Sequence, residues 1–137
     1  MSRAKQETYG ERTRRVREDK EYGLREFAKM LGVSATYLSQ VERDELPPPA
    51  EVRVLKTAEL LGLDKDELLA LAGRVPSELE NIILEKPRGT ADLLRHVKKM
   101  TVEELQRLNE RCRATIKVRH VVNQGETAPG WTADGRA

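Results

Sequence analysis

The sequence predicts an all-α protein, in which a domain of five helices precedes a second helical module. Three observations lead there. Apolar residues recur at the helical period at Leu24, Phe27, Ala28 and Leu31, which fall on one face. Gly32, Gly62 and Gly73 each follow such a stretch, where a helix ends in a left-handed residue that costs glycine little. The composition is 38% apolar and 35% charged, with only Phe27, Tyr9, Tyr22, Tyr37 and Trp131 aromatic. This suits long amphipathic helices rich in Leu, Glu, Lys and Arg and argues against an aromatic-rich β-sandwich.

Taken in order, residues 1–8 are polar and expected to fray. A first helix is expected from about Gly10 to Lys20, turning Thr13, Val16 and the stem of Lys20 inward, with Tyr22 and Gly23 breaking it. The second, Leu24 to Leu31, carries the small Ala28, over which another helix can cross closely. Gly32 ends it and Val33 turns into the core. Ser34 is a good N-cap, because its hydroxyl can accept from an orphan backbone N–H. The third helix, Ala35 to about Arg43, buries Leu38 and Val41; its other face carries Ala35, Thr36, Ser39, Gln40 and Arg43. Two short helices joined at 31–34 form the pattern of a helix-turn-helix, whose second helix lies in the major groove of DNA.

Pro47, Pro48 and Pro49 cannot continue a helix and mark a loop. A fourth helix from about Ala50 repeats apolar residues at Val54, Leu55, Ala58 and Leu61, and Gly62 ends it. Asp64 caps a fifth, with Leu68, Leu69 and Leu71 inward. Residues 74–77 read as a hinge. Ser77 and Glu80 fit a capping box for a helix to about Glu85, with Leu79, Ile82 and Ile83 as its apolar face. Residues 86–89 are expected to break it, and Thr90 to cap a helix bearing Leu93, Leu94 and Val97. Thr101 and Glu104 form a second box, opening a last helix to about His120 with Leu105, Leu108, Cys112 and Ile116 spaced by threes and fours. From Val122 on, little can be buried and a disordered tail is expected, in which Trp131 is incidental. The expected domains are therefore 1–76, 77–121 and 122–137. No internal repeat suggests a solenoid.

The net charge of +2 says little about partners, since residues 1–76 hold 14 basic and 14 acidic side chains. Only local placement, such as Arg12, Arg14, Arg15 and Arg17, can favour nucleic acid. The basic run Arg107, Arg111, Arg113, Lys117 and Arg119 fits a solvated helix face. Cys112 is the single cysteine, so a reduced, cytoplasmic setting is expected. No apolar run approaches the ~18 residues of a membrane span, and the first residues lack a signal-peptide core. No catalytic constellation is visible. His96 and His120 lie in no metal-ligand arrangement, and Cys112 and His120 on one helix would sit about 12 Å apart along its axis. Neither enzyme activity, nor metal, nor cofactor is expected.

Residues 10–18 (GERTRRVRE), 24–43 (LREFAKMLGVSATYLSQVER) and 55–69 (LKTAELLGLDKDELL) together resemble the XRE, or lambda-repressor-like, helix-turn-helix family. The resemblance covers nearly half the chain and is specific in its combination of order, spacing and apolar positions. It implies that Arg17 and Glu42 form a structural ion pair and that Ala35, Thr36, Ser39 and Gln40 read bases. It implies that Arg25, Tyr37 and Arg43 meet phosphates. Three positions depart from the family pattern: Leu24 stands where a phosphate-anchoring Gln is frequent, Gly23 where a Ser or Thr cap is frequent, and Asp44 where a Gly is usual.

Each base pair shows a distinct pattern in the major groove. Gln40 suits bidentate bonding to adenine, Thr36 can donate, accept or touch a thymine methyl, and Ala35 offers only its methyl. Some A·T content in the half-site is therefore expected. The reading is a DNA-binding regulator, a repressor of a palindromic operator, acting as a homodimer on half-sites about 34 Å apart. Leu105, Leu108, Cys112 and Ile116 are the expected dimerisation residues. Alternatives for the second module are binding to a toxin, as an antitoxin would, or to a regulatory metallopeptidase. A further rival is a protein-interaction module with DNA binding secondary or lost.

Overall fold

The computed structural model describes residues 6–123, and all of its regular elements are helices. They are α1 (Tyr9–Asp19), α2 (Leu24–Leu31), α3 (Ala35–Glu42), α4 (Glu51–Leu61), α5 (Lys65–Leu71), α6 (Ser77–Glu85), α7 (Pro87–Lys98) and α8 (Val102–Asn123). The chain divides into two compact units at Leu84–Glu85. No described helix is long and apolar enough to cross a membrane. The tail expected from residue 122 falls largely outside the described residues; its first two positions belong to α8.

In the first unit, α1 to α5 close around two adjoining clusters. Tyr9, Val41, Val54, Ala58, Leu68 and Leu69 form one, and Phe27, Ala28, Leu38 and Leu61 the other, with Leu63 packed against both. The caps follow from local chemistry. Thr8 opens α1 and Asp64 opens α5, each side chain accepting a backbone N–H of the first turn. Gly32 and Gly62 close α2 and α4 at φ of 74° and 67°.

α1 begins one residue earlier than expected, and its inward face is Tyr9, Gly10, Thr13 and Arg17. The stem of Lys20 is exposed and Val16 is half-buried. Tyr9, 4% exposed, supplies the apolar bulk that α1 otherwise lacks. Gly10 sits where α1 touches the end of α3. A Cβ there would collide with the carbonyl oxygens of Val41 and Glu42. Asp44, standing where the family pattern has Gly, adopts φ 61°, and its carboxylate accepts from the Thr8 hydroxyl at 2.9 Å. Asp tolerates the left-handed region better than most residues, and this bond helps hold it there.

Later helices start differently from expectation. Ser77 does not form a capping box with Glu80; its backbone N–H donates to Glu51 Oε1 at 3.1 Å and its hydroxyl to the same atom at 3.4 Å. The carboxylate of α4 thus takes the role assigned to Glu80. Residues 86–89 do not form a break before a helix capped by Thr90. α7 starts at Pro87, because proline at a first helical position has its missing N–H and fixed φ already suited to the turn. The Thr101–Glu104 box is present, with bonds of 3.2 and 3.1 Å. Among the described residues, none after Leu69 is buried.

Candidate nucleic-acid interface

α2 and α3 are set by one turn. Gly32 takes the left-handed conformation, Val33 N–H returns to the Ala28 carbonyl at 2.9 Å, and Ser34 caps α3 by accepting from Tyr37 N–H at 3.1 Å. α3 is pinned by its inner face: Leu38, Val41 and Glu42 are buried. Arg17 holds the far end. Its Nε donates to Glu42 Oε2 at 2.7 Å and its second terminal nitrogen to Oε1 at 2.9 Å, a two-bond fork. The remaining terminal nitrogen donates to the Tyr22 carbonyl at 2.8 Å, so one guanidinium ties α1, the turn before α2 and α3 together. The carboxylate raises the Arg17 pKa above its ordinary value.

The opposite face of α3 is open. Thr36 and Arg43 are exposed, and Ala35, Ser39 and Gln40 are half-buried, Ala35 by packing against the Phe27 cluster. These short or polar groups present a low surface that does not hold the helix away from a groove. Arg25, in the first turn of α2, is exposed and in no ion pair among the described residues. Arg43 is not idle: it pairs with Glu45 at 3.0 Å and bonds the Ser39 carbonyl at 3.3 Å. The Arg43–Glu45 pair is half-exposed and so weak enough to yield to a phosphate. Tyr37 is half-buried against the Tyr9 cluster, between core and surface.

The arginines of α1 also pair with carboxylates, and the Arg14 and Arg15 pairs are about as exposed as that of Arg43. Arg12 and Arg15 both bond Glu7, at 3.1 and 2.8 Å, and Arg14 bonds Glu18 at 3.1 Å. Hydrogen bonds from Arg15 and then Arg12 pull the Glu7 pKa down to about 2. Arg53 of α4 was not singled out by sequence. It lines one cleft with Leu31, Val33, Tyr37 and Pro49, bringing a cation beside the start of α3. Only tertiary packing reveals this, since Arg53 is an ordinary exposed position in its own helix.

A capped helix crossed over another at a left-handed glycine, buried on one face and low and polar on the other, defines a helix-turn-helix module. Residues 10–74 match the family model described as a helix-turn-helix domain. Among solved structures, the chain is similar to the master regulator for biofilm formation SinR in complex with DNA. That match has 32% identity, covers 45% of this chain and 98% of the other, and has a TM-score of 0.42. It is likewise similar to the P22 c2 repressor in complex with a synthetic operator, at 33% identity over 46% of this chain and 94% of the other, TM-score 0.42. The N-terminal DNA-binding domain of SinR from Bacillus subtilis matches at 31% identity over 47% and 93%, TM-score 0.42. No curated protein matches the chain. Over residues 10–74 the chain is thus a helix-turn-helix domain of the lambda-repressor-like, XRE type.

Proposed function

We propose that this protein is a repressor that binds a palindromic operator as a homodimer, laying α3 into the major groove of each half-site. The observation that carries the reading is the two-faced build of α3. Leu38, Val41 and Glu42 are locked inward while Thr36, Ser39, Gln40 and Arg43 line the open side. In this reading Ala35, Thr36, Ser39 and Gln40 read bases, and Arg25, Tyr37 and Arg43 hold phosphates, which contribute affinity and salt dependence without sequence preference. Residues 1–76 are the DNA-binding part and 77–121 the association part, led by Leu105, Leu108, Cys112 and Ile116. Solved relatives that bind DNA, the SinR and P22 c2 complexes, are in keeping with the reading.

Selection of bound sequences from a random duplex pool tests it. Recovery of an inverted repeat with half-site centres one helical turn apart is expected. Recovery of no consensus overturns specific recognition, and a single unrepeated site overturns the two-fold arrangement. A second reading, a partner-binding protein such as an antitoxin with DNA binding secondary, is favoured by the helices after residue 76, in which no described residue is buried. It predicts no salt-dependent binding to duplex even at low salt.

A further inference from the structure

α8 is a long helix with an uncovered face and a steep charge gradient. Leu105 and Leu108 are half-buried, Cys112 and Ile116 are exposed, and no described residue of α7 or α8 is buried. The stripe centres near Glu110. Over residues 102–110 the helix carries Glu103, Glu104 and Glu110 against Arg107, a net −2; over 111–119 it carries Arg111, Arg113, Lys117 and Arg119 and no carboxylate, a net +4. All eight charges are exposed, and none makes an ion pair among the described residues. Acid first and base last also suits the dipole of a lone helix. The same gradient fixes the direction in which two copies can meet. Side by side in parallel, the +4 halves face each other. Reversed about a two-fold axis near Glu110, each −2 half faces a +4 half, and each apolar stripe covers its copy.

We propose that the occupant of this face is α8 of a second copy, paired antiparallel. The proposal rests on the homodimer reading above and adds its geometry. Spin labels placed in the full chain carrying Cys112→Ser, at Val102→Cys or at Val118→Cys, read it out. Both positions are exposed; Val102 lies at the edge of the stripe, one turn before Leu105, and Val118 on the far side of the helix. Antiparallel pairing separates two copies of the label at 102 by about 24 Å along the axis, at 1.5 Å per residue. A mixture of the two labelled chains then gives a pair at one level, across an interhelical distance of about 8–10 Å. A second variant keeps the proposal open to refutation if labels perturb the face. Glu103→Lys with Glu110→Lys turns the first half to +2 while leaving the Thr101–Glu104 cap intact. It should weaken the dimer at least tenfold at low salt with helix content unchanged, whereas a parallel pair would keep its strength. Sedimentation of the unaltered full chain as a monomer removes the homodimer reading itself. A dimer with the short distance between two labels at 102, or with no short pair, or indifferent to the charge change, overturns the antiparallel pairing alone.

Discussion

At Gly10 a single hydrogen in place of a side chain lets α1 lie against the end of α3. Gly10→Ala puts a methyl group onto the carbonyls of Val41 and Glu42, the latter 2.8 Å from its Cβ, and these are backbone atoms that cannot swing aside. Overpacking of this kind costs about 1–3 kcal/mol, and the urea midpoint of the variant should fall accordingly. Tyr9, next to it, is buried, and burial, offset in part by the Thr57 hydroxyl, pushes its pKa up to about 12. A raised pKa means that the neutral phenol is favoured in the fold. This contribution is complete below the unfolded value near pH 10 and is lost as pH rises to 12. Tyr9→Phe should therefore remove the fall in stability between pH 10 and 12, followed by circular dichroism. On the reading face, Gln40→Ala should cost about 1–3 kcal/mol of discrimination between cognate and altered duplex. Equal weakening on every sequence would show that Gln40 does not read bases.

Between elements the Arg17–Glu42 fork does more than either helix end could. Both side chains are nearly buried, 9% and 4% exposed, and the pair joins residues 25 apart in sequence. Arg17→Met strands the Glu42 carboxylate in the core, which costs about 3–5 kcal/mol in denaturant unfolding. Replacing Glu42 as well by Leu should recover much of that loss, because no charge then remains unpaired. The helices of this unit were largely legible in sequence, and for physical reasons. Leu24–Leu31 shows a clean apolar period, and Gly32, Ser34, Gly62 and Asp64 are termini whose chemistry is local. What was not legible involved partners distant in sequence. Glu51 displaces Glu80 as acceptor for Ser77, and Tyr9, the first residue of α1, packs in one cluster with Val41, Val54, Leu68 and Leu69. Lys20 was expected inward, but the inner face of α1 ends at Arg17, and Lys20, its C-cap residue, is exposed.

For the whole molecule, the contrast between the two parts decides what should be measured. Up to Leu69 the chain has a continuous core; beyond it no described residue is buried, and Ile82, Leu93, Leu94 and Ile116 are each 47–62% exposed. Apolar faces of that extent call for a cover. A chain ending at Pro76 should sediment as a monomer where the full chain sediments as a dimer. Equal dimerisation by the shorter chain would place the interface within the first five helices. The shorter chain should also bind operator more weakly, because each copy then meets its half-site independently.

Sequence alone determined the all-α class, the helix-turn-helix at residues 24–43 and the family. Each of these is written in patterns whose range is a helical turn or two: apolar period, cap and glycine stop. Tertiary structure alone decided which arginines are engaged. Arg17 is drawn inward onto Glu42, 25 residues away, while Arg25 is left exposed in no ion pair among the described residues and Arg53 lines one cleft with Tyr37. A side chain's charge is a local property, but whether that charge is available to a phosphate depends on what folding brings within about 4 Å of it.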